Sequence, residues 1–160
     1  MNIDRCPSTL VPGFTSYSPA GLRKLFDGKK VSPILPYDAP DIHGEPEEFL
    51  KNREHISISG VQEKLSVLVD QGTIRLTKSG EQGTHLLKPI SSRLARASDM
   101  PANEHVTMQI AAQLFGISTA PNGLCFFQTG EPAYITRRFD ITQKGGKPVS
   151  YTHLTLPTIL

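Results

Sequence analysis

The sequence predicts an α+β fold, an antiparallel sheet with one helix packed on it, preceded by a proline-rich arm. Three observations lead there. Alternating apolar runs recur after Lys64, in "KLSVLVD", "TIRLTK" and "THLLKP", with turn residues between them. One long segment, "PANEHVTMQIAAQLFG", carries helical periodicity instead. Before these runs neither pattern persists, and Pro and Gly punctuate the chain.

Residues 1–55 read as an arm wrapped on a domain rather than a domain in itself. Ser18 is placed to cap a short helix with Pro19 in its first turn, running through "AGLRKLF" and stopping at Gly28. "DGKK" is a turn, "PILPYDAP" an extended proline-stiffened segment, and "EPEEFLKNRE" a second short helix. From Lys64, "KLSVLVD" puts Leu65, Val67 and Val69 on one face and Leu68 on the other. "QG" turns it into "TIRLTK", giving a hairpin. "SGEQG" is the next turn and "THLLKP" the third strand, ended by Pro89.

"SSRLARASDMP" is a loop. The helix that follows is expected from about Ala102 to Phe115, with Asp99 as a cap near its start and Gly116 at its end. Val106, Ile110 and Leu114 recur at helical spacing, so they are expected to be buried against Leu65, Val67 and Leu87. "ISTAP", "GLCFFQ" and "AYITRRFD" read as further strands, with "TGEP" a turn.

Composition narrows the function classes. The chain's 160 residues fit one domain or a piece of a larger one. A net charge of +2 gives no polyanion-binding signal, so no direct nucleic-acid contact is expected. The apolar runs are far too short to span a bilayer, and "MNIDRCPSTL" lacks the apolar core of a secretory signal. A cytoplasmic location and no membrane partner follow as expectations. Cys6 and Cys125 lack CxxC spacing and read as reduced thiols. The five histidines are scattered, and no metal site is expected.

The last twelve residues, "VSYTHLTLPTIL", contain no charged residue. They alternate like a strand, but "VSYTHLTLPT" resembles a sequencing-library adapter translated in frame. Residues 149–160 are therefore expected to lie outside the fold, with Tyr151 and Leu154 unpacked.

Strand, strand, strand ending in Lys, helix carrying Glu, then two strands is the layout of a kinase N-terminal lobe. Such a lobe needs a small-residue loop whose amides approach phosphates, a strand lysine for the α- and β-phosphates, and a helix glutamate to hold that lysine. Lys88 fits the lysine, although a solvated lysine at a strand end is unexceptional. Glu104 fits the glutamate, although a first-turn carboxylate also complements the helix dipole. Ser57, Ser59 and Gly60 fit the loop, or equally a turn that caps the next strand. The GxGxxG of ordinary protein kinases is absent.

Together "SISGVQEKLSV", "THLLKP", "NEHVTMQIAAQLFGI" and "AYITRRFD" resemble, in order, the HipA-like family of serine/threonine kinase toxins of type II toxin–antitoxin systems. "YSPAGLRKLFDGKKVSPILPYD" is similar to the lead-in of the short HipT-like members. The resemblance implies ATP as cofactor, with Mg in a full-length parent. It makes Ser57 and Ser59 autophosphorylation sites, and brings Ser59, Gly60, Val61 and Gln62 to the phosphates. Lys88 becomes the phosphate lysine and Glu104 its partner. Arg137 and Phe139 become hinge residues offering backbone groups to adenine; the longest members carry Glu at the position of Arg137. Arg138 and Asp140 are left open between structural and functional roles. Implied partners are a DNA-binding antitoxin of the HipB type and a protein substrate such as an aminoacyl-tRNA synthetase.

Phosphoryl transfer also needs a catalytic Asp, an Asn and a metal-binding Asp. After Asp140 only "ITQKGGKP" precedes the adapter-like tail. Residues 56–148 are thus expected to form a truncated N-lobe with no catalytic residues of its own, an inactive fragment of a kinase. The competing class is a stand-alone binding or regulatory module of a toxin–antitoxin system. A reading frame that continues into a catalytic loop favours the first, and a genuine stop codon after Pro148 the second.

Overall fold

In the computed structural model, residues 2–40, 47–54, 64–90 and 97–139 are described. The elements are α1 (Pro19–Phe26), α2 (Glu47–Glu54), β1 (Leu65–Asp70), β2 (Thr73–Leu76), β3 (His85–Lys88), α3 (Met100–Gln113), β4 (Asn122–Phe126) and β5 (Pro132–Arg137). A 3₁₀ turn, Ala97–Asp99, runs directly into α3. The strands form one antiparallel sheet in the order β2-β1-β3-β5-β4. The predicted α+β class, an antiparallel sheet with a helix on it and a proline-rich arm before it, is what the chain adopts.

Local chemistry explains most boundaries. The Ser18 hydroxyl accepts from the Gly21 amide at 3.1 Å, and Pro19 opens α1, as expected of that sequence. The β1–β2 turn places Gln71 and Gly72 at positive φ, matching the "QG" reading. Gly83 is required for a different reason: a Cβ there would sit 2.1 Å from Ser66 Oγ and 2.9 Å from the Val67 carbonyl. Only glycine lets the β2–β3 connection cross so close to β1. "ISTAP" is not a strand; residues 117–121 are irregular and β4 begins at Asn122.

The apolar core lies on one face of the sheet. Leu65, Leu87 and Ile135 align in one row across β1, β3 and β5, and Val67 faces the same way. They pack with Tyr17, Leu25, Phe26, Val31 and Leu35 of the arm and Phe49 of α2. His85 joins them: Nε2–H donates to the Leu25 carbonyl at 2.8 Å and Nδ1 accepts from the Thr84 hydroxyl at 2.8 Å. The arm also supplies backbone partners to the outer edge of β4. Leu124 N–H donates to Pro7, Phe126 N–H to Pro33, and Leu35 N–H to Phe126, each at 2.8 Å. An edge strand left open would be a site for intermolecular pairing, and the arm closes it.

Helix α3 lies on the opposite face, against β4 and β5. It begins and ends two residues earlier than the expected Ala102–Phe115. Asp99 occupies the cap position without a side-chain cap bond, because the 3₁₀ turn before it already supplies helical backbone. Gly116, at φ 64°, terminates it as expected, and Ile117 N–H returns to the Ala111 carbonyl at 3.0 Å.

The packing expectation for this helix is overturned. Val106 and Ile110 are each 42% exposed and Leu114 is 77% exposed. Leu65, Val67 and Leu87 are buried, but against the arm. Strand alternation is the reason. Lys88 shares the α3 face, so its neighbour Leu87 must point the other way. Only Pro101 and His105 of α3 are fully buried, and no α3 residue joins the apolar cluster among the described residues. Residues 149–160, expected to be unpacked at Tyr151 and Leu154, lie outside the described residues.

Candidate functional site

Lys88 is the last residue of β3 and faces α3. Its register partner on β5 is Tyr134, and the ammonium sits 5.2 Å from the centre of that ring. From α3, the Glu104 carboxylate accepts a hydrogen bond from Lys88 Nζ and completes an ion pair. The two side chains are 18% and 30% exposed, which shields the pair from much of the screening that weakens surface bridges. A carboxylate on one side and an aromatic face on another thus aim a single cation. The Tyr134 hydroxyl feels the same arrangement: burial, and then the Glu104 charge, push its pKa well above the usual value.

A polar cluster lies beside this pair. His105, adjacent to Glu104, is fully buried, and its Nδ1 lies 2.9 Å from Asn122 Oδ1 on β4. Asn122 Nδ2 donates to the Ala120 carbonyl at 2.8 Å, which fixes the amide and leaves Oδ1 as the acceptor. Nδ1 of His105 therefore carries the proton. Gln109 Nε2 donates to the same Oδ1 at 3.1 Å. His105 Nε2 is buried and has no hydrogen-bond partner among the described residues. Burial lowers the His105 pKa and keeps the ring neutral, against the smaller opposing pull of Asn122.

Asn52 of α2 is a second polar pin. Its Oδ1 accepts from the Ser66 amide at 2.7 Å, and its Nδ2 donates to the Ser66 carbonyl at 3.1 Å and the Thr77 carbonyl at 2.9 Å. The side-chain amide stands in for a neighbouring strand at the start of β1.

Of the residues singled out from sequence, Lys88 and Glu104 are brought together. Arg137 ends β5; its guanidinium pairs with Asp27 of the arm and its amide donates to the Pro121 carbonyl at 2.8 Å. That donor is therefore already used within the fold. Arg138 N–H donates to the Thr84 carbonyl at 2.9 Å, and Phe139 is 68% exposed. Ser57, Ser59, Gly60, Val61, Gln62 and Asp140 lie outside the described residues. His105, Asn122 and Asn52 were not singled out from sequence. "NEH" placed His105 beside a site residue, and that adjacency was the available signal.

Cys6 and Cys125 are buried free thiols. Among the described residues no group of three or more His, Cys, Asp or Glu is placed to hold a metal ion. Among the same residues no helix is long and apolar enough to cross a membrane.

No curated protein matches the sequence. A family model does, that of the HipA-like C-terminal domain, over residues 56–155. The match begins at Ile56, nine residues before β1, leaves the arm outside, and runs past Pro148. It covers well over half of the chain, and the chain belongs to the family of HipA-like C-terminal domains.

Proposed function

We propose that this lobe is the nucleotide-binding part of a HipA-type protein serine/threonine kinase. The Lys88–Glu104 ion pair carries the reading. Glu104 and the Tyr134 ring hold the ammonium at a fixed place on the sheet, which is what a lysine that meets the α- and β-phosphates of ATP requires. A bound Mg ion would add charge neutralisation across the phosphate oxygens. Ser59, Gly60, Val61 and Gln62 would line the phosphate side, and backbone groups near Arg137 and Phe139 the adenine side.

In the parent reaction a serine or threonine hydroxyl of a protein attacks the γ-phosphorus and ADP leaves. Neither Lys88, a cation, nor Glu104, tied to it, is suited to take the hydroxyl proton. We therefore place the catalytic Asp, the Asn and the metal-binding Asp on a second lobe, so this chain alone binds nucleotide without turnover. An aminoacyl-tRNA synthetase is the proposed substrate class, and a DNA-binding HipB-type antitoxin the proposed partner. The proposed location is cytoplasmic.

Titration of the 160-residue chain with a fluorescent ATP analogue tests the site. Lys88→Met should weaken binding by about tenfold or more, the scale of a charge-assisted hydrogen bond. Equal affinity of the two proteins, or no binding by the unmodified chain, overturns the reading.

A further inference from the structure

We propose that His105 is a positioning residue for the Lys88–Glu104 pair, acting through its hydrogen bond to Asn122. The functional weight of this inference rests on the nucleotide-site reading above; its structural content does not. Glu104 meets Lys88 only if α3 keeps one rotation on the sheet. A helix usually takes that rotation from its apolar stripe. Here the stripe of Val106, Ile110 and Leu114 faces away from the core, so it cannot set the angle. What faces the sheet is Pro101 and His105, the two buried residues of α3, and of these only His105 offers a directional bond. His105 and Gln109, one helical turn apart, both converge on Asn122 Oδ1.

The convergence is directional. Asn122 is held by the Ala120 carbonyl through its own Nδ2, and Ser8 of the arm donates to the Asn122 main-chain carbonyl at 2.9 Å. The acceptor is therefore fixed in the frame of β4, and His105 transfers that frame to α3. Glu104, the preceding residue, is carried with it. A tilt that broke the His105 bond would strand a buried N–H and swing Glu104 off Lys88 together.

Two variants separate positioning from simple packing. His105→Phe keeps a ring of similar size and loses the donor. His105→Asn keeps a donor at the position of Nδ1 and loses the ring. Lys88 reactivity toward an amine-acylating ester, followed residue by residue by mass spectrometry on the full chain, reads the ion pair without any nucleotide. Glu104→Gln sets the unpaired limit, and circular dichroism confirms that each variant is folded.

Lys88 acylation should rise about fivefold in His105→Phe, the scale of one lost buried hydrogen bond, and stay near the unmodified rate in His105→Asn. Affinity for the fluorescent ATP analogue should follow the same order. Unchanged acylation in folded His105→Phe, or a larger rise in His105→Asn than in His105→Phe, overturns the proposal. If His105→Phe does not fold, Asn122→Leu in combination with His105→Asn decides: acylation unchanged from His105→Asn alone overturns it. Failure of Lys88→Met to alter nucleotide affinity defeats the nucleotide reading while leaving the acylation result to stand or fall independently.

Discussion

Lys88 and Glu104, sixteen residues apart, meet across the interface between β3 and α3 as a partly buried ion pair. The pair joins a strand to a helix that, among the described residues, contributes none of its own to the strand's apolar cluster. Its partners should act as a unit. Glu104→Gln is expected to lower nucleotide affinity less than Lys88→Met, because the lysine survives but is no longer aimed. The double variant should lose little beyond Lys88→Met alone. Additive losses in a double-mutant cycle would show that the two residues work separately. Effects of Glu104→Gln on stability should stay near 1 kcal/mol, since both side chains retain solvent contact.

Acid should loosen the attachment of the arm. His85 is buried, neutral and hydrogen-bonded at both nitrogens, to Leu25 and Thr84. Its pKa is lowered from the ordinary 6.5, by burial first; the Leu25 hydrogen bond opposes, Arg137 and Lys29 lower it further, and Asp27 raises it. The folded state therefore binds the proton less readily than the unfolded chain does. The stability that His85 contributes is complete above the ordinary value and is lost as pH falls below it. Denaturant midpoints measured across that range should drop toward acid. His85→Gln, which keeps a donor toward Leu25 and cannot titrate, should show a shallower drop. His105, lowered in the same direction, supplies part of what remains. A pH profile unchanged by His85→Gln would contradict this account.

Asn52 should prove as costly to remove as a core residue. It is 3% exposed and satisfies both the amide and the carbonyl of Ser66. Asn52→Ala strands the Ser66 amide, while the Ser66 carbonyl keeps the Thr77 amide at 3.0 Å, and should destabilise the chain by about 1–3 kcal/mol, the cost of leaving a buried polar group unpaired. Asn52→Asp keeps the acceptor for the Ser66 amide but sets a carboxylate against two carbonyls, so it should be no milder. A loss under about 0.5 kcal/mol for Asn52→Ala, the range of ordinary surface changes, would refute the role.

These residues mark what the sequence does and does not disclose. The strands around "QG" and the helix ended by Gly116 were legible because local periodicity and turn chemistry determine them. Lys88 and Glu104 were legible because a strand lysine and a helix acid in that order have a chemical reason to meet. The buried side of α3 was misread because the stripe of Val106, Ile110 and Leu114 carried the stronger pattern. The correct constraint was present: if Lys88 faces α3, alternation sends Leu87 to the other side. Asn52 was not legible, and His105 only through its place beside Glu104 in "NEH". Asn52 acts on Ser66 and Thr77, fourteen and twenty-five positions away, and His105 on Asn122, seventeen away, and no period records such contacts.

Acidic charge at Ser57 and Ser59, which lie outside the described residues and precede β1 in the sequence, is expected to weaken nucleotide binding. The motivation is the "SISGVQEK" segment together with a lysine already paired on the adjoining strand. Phosphorylation would add about −1.5 to −2 charges at neutral pH. Beside Lys88, that charge would repel the phosphates of a nucleotide and compete with them for the ammonium. Acidic replacement of both serines should therefore weaken binding of the fluorescent ATP analogue, while Ser→Ala at both should largely preserve it. If the serines merely cap a turn, both sets of changes would instead cost stability, by about 1 kcal/mol for each lost cap, and leave affinity alike. Parallel nucleotide titrations and denaturant unfolding on the Asp and Ala forms distinguish the two, and equal affinity of both forms would eliminate the switch.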